Sequence, residues 1–335
     1  MWLLLRREAS PDGIVAFLQQ RGIAVQTQRV GERWAIFLPA NGAVTEACLR
    51  WEEVERVISG EEAYPLVRAW TGEVQIGTWR RGEALLWIAG PCSVEERRSL
   101  LAVAQALRDL GVQVLRGGAY KARTSPYTFQ GLGEQALDWL AEAKALTGLP
   151  VCVEILTEQH VALYLERGID VFQIGARNMD NYWLLREVGQ AKRPVLLKRN
   201  PQATIQEWLL AAEYLLLHGA SVVWLCERGI RTFERSLRYT LDVGALPVVA
   251  QETALPRLVD PSHAAGRWMY VEPLALAGVA AGAEGLLIEV HPNPPAARSD
   301  AAQQLTVEQF ARLKERAEGL FAGLRGLRQP LQSQP

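Results

Sequence analysis

Ala84-Leu-Leu-Trp-Ile-Ala-Gly90 is an unbroken apolar run, and Val112-Gln-Val-Leu-Arg-Gly-Gly118 follows it after a stretch with helical spacing. The same alternation recurs at Pro150–Leu156, Val171–Arg177, Pro194–Asn200, Val222–Arg228, Pro256–Pro261 and Gly285–His291. Near-continuous apolar runs are what parallel strands need when helices cover both faces of their sheet. Each of the first seven leads into a helix-compatible stretch, and Val307–Leu324 supplies the last. Eight strand–helix units between residues 84 and 324 predict an α/β fold of the (β/α)8 TIM-barrel type. A doubly wound open sheet would need a glycine-rich turn after its first strand, and Gly90-Pro91-Cys92 is not one.

Ahead of the barrel, the pattern is that of a small α+β unit. Met1–Arg7 reads as a strand, and Ser10-Pro11-Asp12 starts a helix over Gly13–Gln20. Ile23–Val30 and Arg33–Leu38 alternate around Gly31-Glu32 as a hairpin. Ala47, Trp51, Val54 and Ile58 predict a second helix over Thr45–Ile58. The expected organisation is therefore a small domain over 1–70, a barrel over 71–328 and a frayed tail over 329–335.

Composition narrows the function classes. The 335 residues are 49% hydrophobic and 22% charged with a formal net charge of −1, the balance of a globular chain with a large core. Nothing in that charge points to nucleic acid. The longest apolar run, Leu274–Val290, is interrupted by Glu284 and small residues and is no membrane span. Met1-Trp-Leu-Leu-Leu followed by Arg6 and Arg7 is too short and wrongly ordered for a secretory leader. Four scattered cysteines (48, 92, 152 and 226) suggest reduced thiols and a cytoplasmic setting.

Active sites of such barrels lie at the C-terminal ends of the strands. Two sets of residues fall there. Arg116, Lys121, Arg123, Arg177, Lys198 and Arg228 form a ring of cations, read as converging without matching carboxylates and so as fitting a ligand with several negative charges. Cys92, His263, Glu289 and Asp300 come from strands one, seven and eight, which become neighbours when the barrel closes. One thiolate, one imidazole and two carboxylates suit Mn, Fe, Co or Zn rather than Ca or Mg. Taken singly, Cys92 and His263 read better as core residues, and Cys152 and Cys226 read as core outright.

The motifs carrying these residues resemble those of 3-deoxy-D-arabino-heptulosonate 7-phosphate (DAHP) synthases of class I. They are Gly90-Pro-Cys-Ser-Val-Glu95, Arg116-Gly-Gly-Ala-Tyr-Lys-Ala-Arg-Thr-Ser-Pro-Tyr-Thr-Phe-Gln-Gly131, Gln173-Ile-Gly-Ala-Arg-Asn-Met179, Leu197-Lys-Arg199, Cys226-Glu-Arg-Gly-Ile-Arg231, Val259-Asp-Pro-Ser-His263 and Ile288-Glu-Val-His-Pro292. The subclass most resembled is the one similar to octulosonate-phosphate synthases, and the likeness runs from about residue 72 to 325. More weakly, residues 1–70 resemble a ferredoxin-like regulatory domain. The resemblance implies metal-dependent condensation of phosphoenolpyruvate with D-erythrose 4-phosphate, the entry to the shikimate pathway and aromatic amino-acid biosynthesis. It implies that Cys92, His263, Glu289 and Asp300 bind the divalent metal. Arg116, Lys121, Arg177, Lys198 and Arg228 would hold phosphoenolpyruvate, and Arg123 and Thr124 the aldose phosphate. Lys121, Cys92 and His263 would take part in the chemistry. It also implies a tyrosine or phenylalanine effector on the N-terminal domain and a homo-oligomer, tetramer or dimer. Ala122 replaces a common proline, Asn200-Pro201 a glycine and Asp180 a glutamine; Asn200 reads as tolerating a left-handed backbone. An octulosonate-phosphate synthase acting on arabinose 5-phosphate, or a non-catalytic sensor of aromatic amino acids, are the competing functions. Lys121-Ala-Arg123-Thr-Ser and the added N-terminal domain favour the four-carbon sugar.

Overall fold

Each of the eight apolar runs is a strand in the computed structural model, which describes residues 1–38, 51–58 and 62–325. The barrel strands are β7 (Leu86–Gly90), β8 (Val114–Arg116), β9 (Val151–Ile155), β10 (Val171–Ile174), β11 (Val195–Lys198), β12 (Val223–Glu227), β13 (Arg257–Val259) and β14 (Gly285–Glu289). All pair in parallel, and β14 pairs with β7 to close the barrel. The expected strands run longer than the observed ones because their polar last residues leave the ladder and turn into the loops at the mouth.

Helices return the chain between strands. Those used below are α6 (Tyr182–Gln190), α7 (Ile205–Leu217), α8 (Ala245–Glu252) and the short α9 (Pro261–Ala265), with α11 (Val307–Arg325) last. A capping box between Thr204 and Glu207 starts α7, and Asp260 starts α9 by accepting from the His263 amide. Near the N-terminal end of the barrel, Gly77 in a small hairpin (β5, Gln75–Ile76; β6, Trp79–Arg80) packs beside Pro150 and Gln113.

The N-terminal unit contains β1 (Trp2–Leu5), α1 (Asp12–Gln19), β2 (Gln26–Val30), β3 (Arg33–Phe37) and β4 (Val54–Ile58), in an antiparallel sheet of order β2-β3-β1-β4. Leu3, Leu5, Ile36 and Leu38 pack with Ile14 and Leu18 of α1. On the other face, Trp2, Leu4, Val30, Ala35 and Ile58 join the same apolar core as the barrel. The helix expected over Thr45–Ile58 is corrected at its end: Val54–Ile58 is the strand that pairs with β1, while Thr45 and Ala47 lie outside the described residues. A β-bulge explains the misleading spacing. It sets Val54 opposite Leu5 and Val57 opposite Leu3, so two valines three apart pack against one cluster. The tail over 329–335 also lies outside the described residues. A connecting helix, α2 (Pro65–Ala69), rests on α7, where both carboxylate oxygens of Glu213 accept its first amides, Leu66 N at 2.9 Å and Val67 N at 2.8 Å. No described helix is long and apolar enough to cross a membrane.

Candidate active site

Lys121, Arg123, Thr124, Arg177, Lys198, Arg228, His263 and Asp300 line one cavity of about 390 Å³ at the C-terminal mouth of the barrel. Eight of the expected site residues thus meet in one place, although their codons are spread over some half of the chain. Arg116, Cys92 and Glu289 lie beneath it, fully buried.

The expectation that the cations lack carboxylates needs correcting. Arg116 is bonded to Glu289, Nη1 to Oε1 at 2.6 Å, and is only 3% exposed. Lys198 is bonded to Asp260 at 2.5 Å. The adjacent Arg199 bridges Glu227 and Asp242 at 3.1 and 2.9 Å. Burial makes an unpaired charge costly, and the fold supplies these three cations with carboxylate partners of its own. Arg228 is the contrast. It is 6% exposed, has no carboxylate partner among the described residues, and its Nε is buried with no hydrogen-bond acceptor. Arg177 is exposed, donating to Ala122 O at 2.7 Å and to Thr124 Oγ1 at 3.4 Å. The Ala122 turn is therefore tied to the next loop despite lacking proline.

Three of the four expected metal ligands form one group, and His263 stands beside two of them. Cys92 Sγ and carboxylate oxygens of Glu289 and Asp300 lie within 4.8 Å of one another. Cys92 Sγ is 3.3 Å from Asp300 Oδ2, and His263 Nε2 is 3.5 Å from Glu289 Oε1 and 3.9 Å from Asp300 Oδ2. Donors around one transition-metal ion, at bonds of 2.0–2.3 Å, stand about 3–4 Å apart, so sulfur, nitrogen and oxygen donors here fit such an ion. Supporting groups orient them. Asp260 Oδ2 is 2.7 Å from His263 Nδ1, and Gln303 donates to Glu289 Oε2 at 2.6 Å. Asp300 holds its carboxylate from a left-handed backbone, φ 48°, which a non-glycine residue adopts only at a cost.

Charge and burial set the protonation. Burial, then the Glu289 carboxylate, pushes the Cys92 thiol up to about 12. Burial works against ionised Asp260, but His263 and Lys198 outweigh it and hold the carboxyl well below the usual range. Burial brings His263 below its ordinary value, against the pull of the Asp260 and Glu289 carboxylates. Lys121 Nζ donates to Cys92 O at 3.0 Å and Cys92 Sγ at 3.2 Å, which carries its ammonium between the thiol and the cavity.

Several participants carry no sequence signal of their own. Asp260 precedes Pro261 as a helix cap, and only the folded barrel shows it also serving Lys198 and His263. Gln303, Arg238 and Tyr239 belong to none of the motifs quoted above. Asn200 is not left-handed: among described non-glycine residues only Lys192 and Asp300 have positive φ. Its amide instead donates to Asp180 Oδ2 at 2.9 Å, so two departures from the family pattern meet each other. Glu154 lines the cavity and accepts from Gln173 at 3.2 Å. Cys152 and Cys226 are buried core thiols, and the three described cysteines are all free.

Comparison with known proteins agrees with this geometry. The family described as "DAHP synthetase I family" matches residues 61–322. A phospho-2-dehydro-3-deoxyheptonate aldolase of Thermotoga maritima is 51% identical over 237 residues, covering 71% of this chain and 70% of its own. A 2-dehydro-3-deoxyphosphooctonate aldolase of Rhodopseudomonas palustris is 31% identical over 244 residues, 68% of this chain and 84% of its own. Among solved structures, a Thermotoga maritima DAHP synthase superposes with a TM-score of 0.76 at 40% identity, covering 97% of this chain and 98% of that one. A truncated form of that synthase gives 0.72 at 43% identity, covering 79% and 98%.

Proposed function

The chain belongs to the DAHP synthetase I family and is a 3-deoxy-7-phosphoheptulonate synthase, and on that premise we propose that it joins phosphoenolpyruvate to D-erythrose 4-phosphate with a divalent metal at Cys92, His263, Glu289 and Asp300. The observation that carries this reading is Arg228, a buried cation without a carboxylate among the described residues, in a cavity it shares with Lys198, Arg177 and Arg123. An anion of the ligand supplies the missing partner. Lys198, Arg228 and Arg177 take the phosphate and carboxylate of phosphoenolpyruvate, with Lys121 beside them. Arg123 and Thr124, on the loop tied down by Arg177, take the aldose phosphate. Arg116 acts from below by holding Glu289 in place.

In the reaction, C3 of phosphoenolpyruvate forms the new bond to the aldehyde carbon. The aldehyde oxygen gains a proton from the Lys121 ammonium, water adds its oxygen at C2 and gives up a proton that restores that ammonium, and the C2–O bond to phosphate then breaks, releasing inorganic phosphate and leaving a ketone at C2. The cations preorganise two anions that would otherwise repel each other. Held by Cys92, His263, Glu289 and Asp300, a Mn, Fe, Co or Zn ion would supply Lewis acidity at the aldehyde or orientation of the water. Cys92 must then lose the proton that burial makes it keep, which a cation at its sulfur favours.

The decisive assay follows loss of phosphoenolpyruvate with erythrose 4-phosphate or arabinose 5-phosphate, each with manganese and with excess chelator. Metal-dependent turnover with the four-carbon sugar is expected. Turnover with the five-carbon sugar instead supports an octulosonate-phosphate synthase, the activity named for the 31% identical relatives. Turnover that survives thorough chelation removes the metal site, and no turnover with either sugar leaves the sensor reading.

The same proposal places the enzyme in the cytoplasm at the first step of the shikimate pathway, in agreement with its free thiols. Residues 1–70 act as a regulatory domain for tyrosine or phenylalanine, the barrel spans 71–328, and the chain works as a dimer or tetramer. In support, the described residues of the N-terminal sheet carry no catalytic cluster, and Trp183, Trp268 and Met269 are exposed apolar groups of the kind that self-association covers.

A further inference from the structure

Tyr239 has no part in the chemistry above, yet it forms a wall of the cavity beside Arg228. The Arg228 guanidinium carbon lies 4.3 Å from the centre of the Tyr239 ring, over its face. That contact matters because, among the described residues, Arg228 lacks a carboxylate partner and its Nε lacks an acceptor. The electron-rich face of the aromatic ring stabilises this cation without tying it up in a carboxylate pair.

The ring is itself fixed from several sides. The Tyr239 amide donates to Ala264 O at 2.9 Å, one residue beyond His263. Its neighbour Thr240 exchanges two backbone bonds with Ile230, at 2.8 and 3.1 Å, and Thr232 and Thr240 join their hydroxyls at 2.7 Å. Gly229, next to Arg228, is left-handed at φ +97°, and a Cβ there would come within 2.5 Å of the Tyr239 Cβ. The loop after β12 is thus clamped against α9 with the ring lodged between them. Burial favours the neutral phenol, but Arg228, Arg238 and Arg231 outweigh it and bring the hydroxyl below its ordinary value, a sign of how cationic this wall is.

We propose that Tyr239 is a positioning residue for phosphoenolpyruvate: its ring, stacked under Arg228, holds the guanidinium in the direction that receives the phosphate. This rests on the assignment of Arg228 to phosphoenolpyruvate made above. A flat ring limits the guanidinium to motion in one plane, so the anion meets a donor edge already oriented and loses less entropy on binding.

The test uses the full-length, metal-loaded enzyme and the variants Tyr239→Leu, Tyr239→Phe and Arg228→Gln, with circular dichroism and thermal midpoint recorded for each. Tyr239→Leu is expected to raise the KM for phosphoenolpyruvate about tenfold, with kcat within about twofold and the KM for erythrose 4-phosphate unchanged. Tyr239→Phe, which keeps the face and drops the hydroxyl, is expected to recover most of that loss. Equal damage by leucine and phenylalanine overturns the stacking role in favour of a hydroxyl contact, and equal losses in both KM values overturn it in favour of a general structural role. If Arg228→Gln raises the phosphoenolpyruvate KM while Tyr239→Leu does not, this inference fails and the site assignment stands. If Arg228→Gln leaves that KM unchanged, the site assignment itself fails.

Discussion

Lys198 and Arg228 leave neighbouring strands at the same mouth, and the difference between them is what the fold places alongside. Lys198 is 4% exposed and faces Asp260, which also holds His263. Removing the lysine leaves a buried carboxylate short of a cation, so Lys198→Met is expected to cost about 3–5 kcal/mol of stability besides activity. Urea unfolding decides it, and a loss under about 1 kcal/mol would mean that Asp260 is satisfied without the lysine. Residue identities at the site were legible in the sequence because strand ends in a barrel converge; Cys92, Glu289 and Asp300 are up to 208 positions apart and meet for that reason. Their partners were not legible. That Lys198 pairs with a residue 62 positions away, or that Arg116 holds Glu289, follows from which strands neighbour which and how far each end protrudes. Counting cations along strands overlooked those carboxylates.

Elements were readable where burial dictates period, and misread where it does not. Barrel strands buried on both faces announce themselves by composition alone. Strand β4 is an edge strand with a bulge, and the bulge brings alternate spacing close to a helical one. Helix α2 left only a weak mark, being five residues held from outside by Glu213. Burial raises the Glu213 carboxyl to about 7, against the pull of the two amides. Because its native value lies above the unfolded one, the native chain retains a proton that the unfolded chain releases. The contribution is complete below the ordinary glutamate range and is lost as pH rises through about 7. Denaturant midpoints between pH 5 and 8 are therefore expected to fall by more in the native chain than in Glu213→Gln, with a slope of at most about 1.4 kcal/mol per pH unit. Parallel profiles for the two would remove Glu213 as the source.

For the molecule as a whole, the question is where the barrel begins. The order of eight units was readable from residue 84 onward, but the docking of the N-terminal sheet was not, since its inner face carries only ordinary apolar alternation. Tyr64 donates to Glu252 at 2.9 Å, and Thr253 donates to Val67 O at 2.6 Å, so residues 64–69 are bound to the barrel's own helices. A chain starting at residue 61 is expected to keep turnover, lose any inhibition by millimolar tyrosine or phenylalanine, and melt above one starting at residue 71. Inhibition that survives in the shorter chain would remove the regulatory role of the N-terminal sheet. Equal melting temperatures would show that α2 adds nothing to the barrel.

Helix α7 touches both ends of this arrangement. Its Trp208 indole donates to Leu197 O at 3.2 Å, beside Lys198, and Glu213 grips α2. Those attachments are five residues apart, about 7.5 Å along the axis. Over that span a helix is a rod with no joint, so a force on the connector reaches the lysine as displacement and is not taken up by bending on the way. In mechanical terms the connector and the end of the Lys198 strand are two loads on one short lever.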